Sequence, residues 1–290
     1  LDVRAVVAGE PVVFQFQGDG KLGVVIAVGA KGDTPVSVAV LRGAEKACQE
    51  AGYLVMLFNL GNASAREREG IEALASYQVE GFILNTLGAD PTAAGEVARH
   101  GKPVVLVDRK HDAMHADFVS LNNADAVQKA VAHLLEQGYH ELLYVTEPSA
   151  GVSSRVEREA AFRACIGGQP KGVAGRAVEI DDGADAALEQ ALRELQRRAG
   201  RRAPAVLSSN APVPLRVAAA VARLGWRFGA DLGFVGIDET EWAPLIGPGL
   251  TTIAQPTDDL GRVAVSCLLE RLQGRSLPPR EILLPGRLVV

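Results

Sequence analysis

Short apolar runs alternate with longer amphipathic segments along almost the whole chain, and this alternation restricts the fold more than any other feature. Residues 22–28, 54–59, 82–84, 103–107, 142–145, 177–180, 205–208 and 232–237 read as strands. Between them, 36–51, 64–77, 91–100, 124–137, 153–165, 184–198 and 213–224 carry helical spacing. Strands alternating with helices predict parallel sheets covered on both faces, an α/β architecture. Local signals agree with it. Ser64-x-x-Glu67 has the form of a capping box, and Asp90-Pro91 fits a cap followed by proline at the first helical position. Gly52-Tyr53, Gly138-Tyr139 and Gly225-Trp226 each close a predicted helix, glycine supplying the left-handed cap and the ring packing back on the last turn. Residues 1–20 fit the pattern poorly; 12–17 reads as a short strand or an irregular arm.

A chain of 290 residues has room for two ordinary domains. The formal net charge of -5 argues against this surface alone gripping a polyanion. Cys48, Cys165 and Cys267 are odd in number, widely spaced and set in apolar helical contexts. They read as reduced core thiols of a cytoplasmic protein rather than a disulfide framework. No apolar run approaches bilayer-spanning length, so no membrane partner is expected. No basic segment leads into an apolar core near the N-terminus, so no secretory signal is read there.

Ligands of open parallel sheets bind where the strands end. Two apolar runs end in groups suited to holding a small polar molecule. Leu232-Gly-Phe-Val-Gly-Ile leads into Asp238-Glu239-Thr240-Glu241-Trp242, and Leu250-Thr-Thr-Ile-Ala leads into Gln255-Pro256. Signs of bond-breaking chemistry are missing from the sequence. Gly29-x-x-Gly32 is not a dinucleotide fingerprint, and Lys31-Gly32-Asp33-Thr34 lacks P-loop spacing. There is no Gly-x-Ser-x-Gly elbow. His111 and His115 are four apart without a third ligand. The expectation is therefore no enzyme, no cofactor and no metal.

Several segments together resemble the lactose/galactose-repressor (LacI/GalR) family over about residues 22–290. They are Gly23-Val-Val-Ile, Arg42-Gly43-Ala-Glu followed by Gly52-Tyr53, Glu80-Gly-Phe-Ile-Leu, Pro103-Val-Val-Leu-Val-Asp108-Arg109, Gly236-Ile-Asp238-Glu-Thr240, and Thr251-Thr-Ile-Ala-Gln255-Pro256 with Leu260-Gly261. The resemblance implies a periplasmic-binding-protein-like fold: two doubly wound parallel-sheet subdomains with a ligand cleft between them. It places the N-terminal subdomain at 22–138 plus 257–281 and the C-terminal subdomain at 139–256 plus 282–290, with 1–21 as a residual hinge or linker. It further implies a small-molecule effector, a homodimer formed along 36–51 and 63–77, and operator DNA read only through a helix-turn-helix headpiece that is expected to precede such a core. The stretch from Asp238 to Ile253 is most similar to gluconate and ketogluconate regulators, which points to a sugar acid over a neutral sugar. The rival from another class is an exported solute-binding protein feeding a transporter.

The resemblance assigns effector contacts residue by residue, and each has a plainer alternative. Asp238 matches the acid that accepts sugar hydroxyls, or caps the following turn. Asn210 matches the pocket asparagine, or caps the helix before Val213. Gln255 matches a pocket glutamine, or is a hinge residue bonding backbone. Arg155 and Arg158 share a helix face in a segment matching the family's arginine-bearing helix, or pair with Glu157 and Glu159. Asp125 is a pocket acid or a helix-start residue favoured by the dipole. Trp242 is a stacking platform or ordinary packing beside Pro244. Arg109 reaches the effector or pairs with Asp108. One stretch departs from the family: the usual Asp-x-x-Asn-Pro-Phe after the first strand reads Asp33-Thr34-Pro35-Val36 at its end. Thr34 there contacts ligand or caps the next helix.

Overall fold

The computed structural model describes residues 2–7, 10–15, 21–28, 35–59, 64–77, 79–86, 88, 91–181 and 183–290. In chain order its elements are β1 (Asp2–Val7), β2 (Glu10–Gln15), β3 (Lys21–Val28), α1 (Pro35–Glu50), β4 (Tyr53–Asn59), α2 (Ser64–Ser76), β5 (Gly81–Leu84), α3 (Pro91–His100), β6 (Val104–Val107), β7 (Asp117–Leu121), α4 (Asn123–Glu136), β8 (Glu141–Thr146), α5 (Ser153–Gly167), β9 (Ala174–Glu179), α6 (Asp185–Ala199), β10 (Ala205–Ser208), α7 (Pro212–Arg223), β11 (Gly233–Ile237), β12 (Thr251–Ala254), α8 (Thr257–Leu272), β13 (Glu281–Leu284) and β14 (Arg287–Val289). A short 3-10 turn, Ala243–Leu245, lies between β11 and β12.

Two six-stranded sheets carry the same strand plan. One runs β4-β3-β5-β6-β7-β13 and the other β9-β8-β10-β11-β12-β14. The pairings β3–β4, β3–β5, β5–β6 and β6–β7 are parallel, as are β8–β9, β8–β10, β10–β11 and β11–β12. Each strand position of the first sheet thus has a counterpart in the second. The last strand, β14, joins β12 antiparallel. β1 and β2 form a separate two-stranded antiparallel sheet in the stretch that the sequence reading left as hinge or linker.

The chain divides into two compact units. Among the described residues, the first takes β1–β3, 37–119 and 258–282, and the second takes 35–36, 120–257 and 283–290. The chain passes from the first unit to the second at 119/120, so α4 lies in the second unit rather than with residues 22–138. The reason is packing: Ala126, Val127, Ala130, Val131 and Leu134 of α4 are buried against Leu142, Tyr144, Leu207 and Val235 of the second sheet. A helix goes with the sheet that buries its apolar stripe.

Each face of the second sheet has its own core. Leu143, Val145, Val206 and Phe234 pack under α6 and α7, whereas Tyr144, Leu207, Val235 and Ile253 pack under α4 and α5. The period-2 alternation of a strand sends neighbouring side chains to opposite faces. Gly52, Gly138 and Gly225 have φ of 79°, 86° and 69°, the left-handed helix ends expected from their sequence position. Ser64 and Asp90, invoked above as helix starts, have side chains outside the described residues.

In the first unit, α1 and α8 cross with almost no separation. A Cβ placed on Gly43 would lie 2.2 Å from the carbonyl oxygen of Asp258, and one on Gly261 would lie 2.1 Å from that of Val40. Only glycine permits backbones to meet so closely. Arg42 beside Gly43 forks onto the Asp258 carboxylate at 2.9–3.1 Å. A second anchor ties the segment after α8 to the sheet. Asp117, with a side chain fully removed from solvent, accepts from Arg271 at 2.8 and 3.0 Å. It also accepts from the backbone N–H of Arg280 at 2.8 Å and from its Nη2 at 3.0 Å. Burial raises the Asp117 pKa, but hydrogen bonds from both guanidiniums outweigh it and hold the carboxyl well below the usual range.

Candidate functional site

The second unit collects polar side chains along one rim of its sheet, at the C-terminal ends of β8, β10, β11 and β12. At the end of β8, Thr146 and Glu147 turn into a loop held down at Ser149. The backbone N–H of Ser149 donates to Glu179 Oε1 at 3.0 Å and its hydroxyl donates to the same oxygen. These bonds lower the Glu179 pKa. The loop leads into α5, whose first two turns carry Arg155 and Arg158.

The two arginines share a helix face but have different partners. Arg155 Nη2 donates to Glu147 Oε2 at 2.5 Å, and Nη1 donates to the Pro148 carbonyl at 2.7 Å. Arg158 is only 3% exposed. Its Nε donates to Asn123 Oδ1 at 2.7 Å and its Nη1 to the Ser209 carbonyl at 2.6 Å. Neither arginine pairs with Glu157 or Glu159 as the plainer reading held. Glu157 instead accepts from Asn123 Nδ2 at 2.8 Å, and Glu159 accepts from Arg163 at 2.7 and 2.9 Å. Both bonds of Arg158 go to neutral acceptors, and no described carboxylate lies within ion-pair distance of it. Nη2 donates to no described residue and is not sealed from solvent.

Beyond β10, Ser209 Oγ donates toward Thr146 Oγ1 at 2.9 Å. Asn210 Nδ2 donates to Glu147 Oε2 at 2.7 Å, so Glu147 holds Arg155 and Asn210 at once. Asn210 does not cap α7; the cap residue is Ala211, without a side-chain bond. That service falls to Asp238, whose Oδ2 accepts from the Ala211 N–H at 2.8 Å while Oδ1 accepts from Gln255 Nε2. A carboxylate against a helix N-terminus is favoured by the helix dipole. Asp238 has φ of +89°, and Asp108, at the matching place after β6, has φ of +64°. Each sends its N–H to the neighbouring strand, to Ile253 and Val119 respectively, both at 3.0 Å. A left-handed aspartate costs about 1–3 kcal/mol of backbone strain, and such positions concentrate at ligand sites.

Asp238, Asn210, Arg155, Arg158 and Gln255 are therefore linked at the strand ends through Glu147, Ser209 and the Ala211 backbone, and Asp125 and Trp242 do not join them in the described contacts. Asp125 bonds Lys129 Nζ at 2.7 Å, which in turn donates to the Gly286 carbonyl at 3.0 Å. Trp242 is half-buried on the apolar core of the α6–α7 face, which matches ordinary packing. Arg109 belongs to the first unit, with Nε 3.7 Å from Asp108 Oδ2. Thr34 lies outside the described residues. Asn123, Glu147 and Ser209 were missed by the sequence reading, although all three follow strands as Asp238 does. Tyr144 lies beneath the cluster, stacked on Phe162 at 5.3 Å. Burial pushes its phenol up to about 12, more than nearby Arg158 lowers it. Among the described residues, no group of three or more His, Cys, Asp or Glu is placed to hold a metal. The rim offers donors and acceptors in both charge states, which suits reversible recognition of a small polar molecule.

The profile of the periplasmic binding protein-like domain matches residues 131–290. The HTH-type transcriptional regulator PtxS of Pseudomonas aeruginosa is 41% identical over 258 residues, covering 88% of this chain and 74% of that protein. The regulator KdgR of Bacillus subtilis is 34% identical over 256 residues, with 88% and 76% covered. A solved structure described as a ribose operon repressor from Burkholderia thailandensis superposes with a TM-score of 0.78 at 25% identity, over 92% of this chain and 98% of that one. With that identity and coverage, the periplasmic-binding-protein-like fold and the polar rim of the second sheet, the chain belongs to the LacI family of transcriptional regulators and forms the effector-binding core of such a regulator.

Proposed function

We propose that the effector is a sugar acid, held by the network at the strand ends of the second unit. The observation that carries this reading is Arg158: a guanidinium 3% exposed whose hydrogen bonds among the described residues go to Asn123 and the Ser209 carbonyl, both neutral. A buried cation without a carboxylate is costly, and a ligand carboxylate on the open Nη2 would relieve that cost. Asp238, Asn210 and Gln255 then supply acceptors and amides to the sugar hydroxyls. Calorimetric titration tests the reading. Gluconate and 2-ketogluconate are expected to bind at least tenfold more tightly than glucose; equal affinity for glucose would remove the case for an acid.

The chain acts on operator DNA through a helix-turn-helix headpiece in the intact regulator, and it is a cytoplasmic homodimer. The effector shifts operator affinity only as far as it binds the two functional states differently. Support for the dimer comes from the first unit, where Val38 of α1, Leu54 and Leu57 of the edge strand β4, and Tyr77 after α2 are 40–51% exposed. Large apolar side chains along a sheet edge mark an association surface. Sedimentation equilibrium is expected to give a dimer, and Leu57→Lys to weaken it. A monomer at every concentration would contradict the assignment. The protein performs no turnover in this reading; recognition alone is its chemistry.

A further inference from the structure

We propose that Glu147 restricts the site to ligands bearing one carboxylate. The inference rests on the sugar-acid reading above and adds a selectivity to it. Two guanidiniums rise from the same face of α5, one helical turn apart, and two would suffice for a dicarboxylate. Glu147 removes one of them from use. Its Oε2 accepts from Arg155 Nη2 at 2.5 Å and from Asn210 Nδ2 at 2.7 Å. Both side chains of the ion pair are largely buried, at 17% and 16% exposure. Their geometry is fixed from several sides. Arg155 Nη1 is spent on the Pro148 carbonyl, Thr146 Oγ1 donates to the Glu147 carbonyl at 2.9 Å, and Ser149 ties the loop to Glu179.

Of the two arginines, Arg158 is left with an open donor and, among the described residues, no carboxylate. A first ligand carboxylate is met there. A second one, at the other end of a short sugar chain, would meet a guanidinium already neutralised and the Glu147 charge beside it. Like charges close together in a partly desolvated site repel strongly. An aldonic acid fits this arrangement, and an aldaric acid of the same length does not. The Glu147 carboxylate also suits a sugar hydroxyl, which can donate to it where a carboxylate cannot.

The test compares gluconate with glucarate by calorimetry on the wild-type chain and on Glu147→Gln, which keeps the side-chain shape and loses the charge. Wild type is expected to prefer gluconate by about tenfold or more, the equivalent of one charged hydrogen bond. Glu147→Gln is expected to lose most of that preference by gaining glucarate affinity, and adding Arg155→Met is expected to cancel the gain. A wild-type chain that binds both acids equally overturns the proposal, as does a Glu147→Gln chain that keeps the preference; gluconate binding that still depends on Arg158 leaves the sugar-acid reading standing in either case. Failure of gluconate to bind wild type overturns both.

Discussion

Asp117→Ala is expected to destabilise the first unit by about 3 kcal/mol, the lower end of the range for breaking a buried ion pair. The carboxylate is the shared acceptor for Arg271, for Arg280 and for the Arg280 backbone N–H. Removing it frees two cations and orphans a main-chain donor. The cost stays at the lower end because Arg271 and Arg280 are 17% and 32% exposed and can turn toward water. What is lost is the attachment of the α8–β13 segment to β7, since Arg271 also gathers the carbonyls of Leu277 and Pro278. Urea unfolding followed by circular dichroism measures it. A midpoint unchanged within error would show that the cluster is ornament to an already stable segment.

The same carboxylate carries a pH dependence with a definite sign. Its folded pKa lies below the ordinary value near 4. Its contribution is therefore fully present above about pH 4, near the unfolded pKa, and is lost as pH falls toward and through the lower folded value. Asp117→Asn should be less stable than wild type at neutral pH, with the difference narrowing below pH 4.

Arg158→Ala is expected to weaken gluconate binding by about tenfold or more, the loss of a charge-assisted hydrogen bond from Nη2 at about 1.5 kcal/mol or more. Glucose, which brings no carboxylate, should lose far less. The substitution also removes the donor from Asn123 Oδ1 and from the Ser209 carbonyl, so some stability goes with it, at about 1–3 kcal/mol per buried acceptor left unmet. Arg158→Lys separates the two effects. It keeps the charge and loses the planar fork, so it should fold more stably than the alanine variant and bind gluconate with intermediate affinity. Calorimetry on both variants with both sugars decides. An alanine variant that folds and binds gluconate as wild type does would end the assignment of Arg158 to the ligand.

The alternation of strand and helix was legible because both periodicities are local and strong, and the glycines closing α1, α4 and α7 announced themselves by position. The unit boundary was not. α4 has an apolar stripe that fits either sheet, and only contact with Tyr144 and Val235 decides which sheet buries it. The site was half legible for a related reason. Asp238 and Gln255 follow apolar runs, a signal carried in the sequence itself. Helical spacing put Arg155 and Arg158 on one face, but it could not show that Glu147, from another element, takes Arg155 and leaves Arg158. Asp117 gave no signal at all, because its partners lie 154 and 163 residues away in the chain. Pairings of that span are a property of the topology.

A crystal structure of the chain with gluconate tests the central claim most directly. The account predicts a ligand carboxylate oxygen within hydrogen-bond distance of Arg158 Nη2, with sugar hydroxyls on Asp238 and Asn210. Gluconate bound with its carboxylate remote from Arg158, the guanidinium keeping only Asn123 and the Ser209 carbonyl, would contradict it.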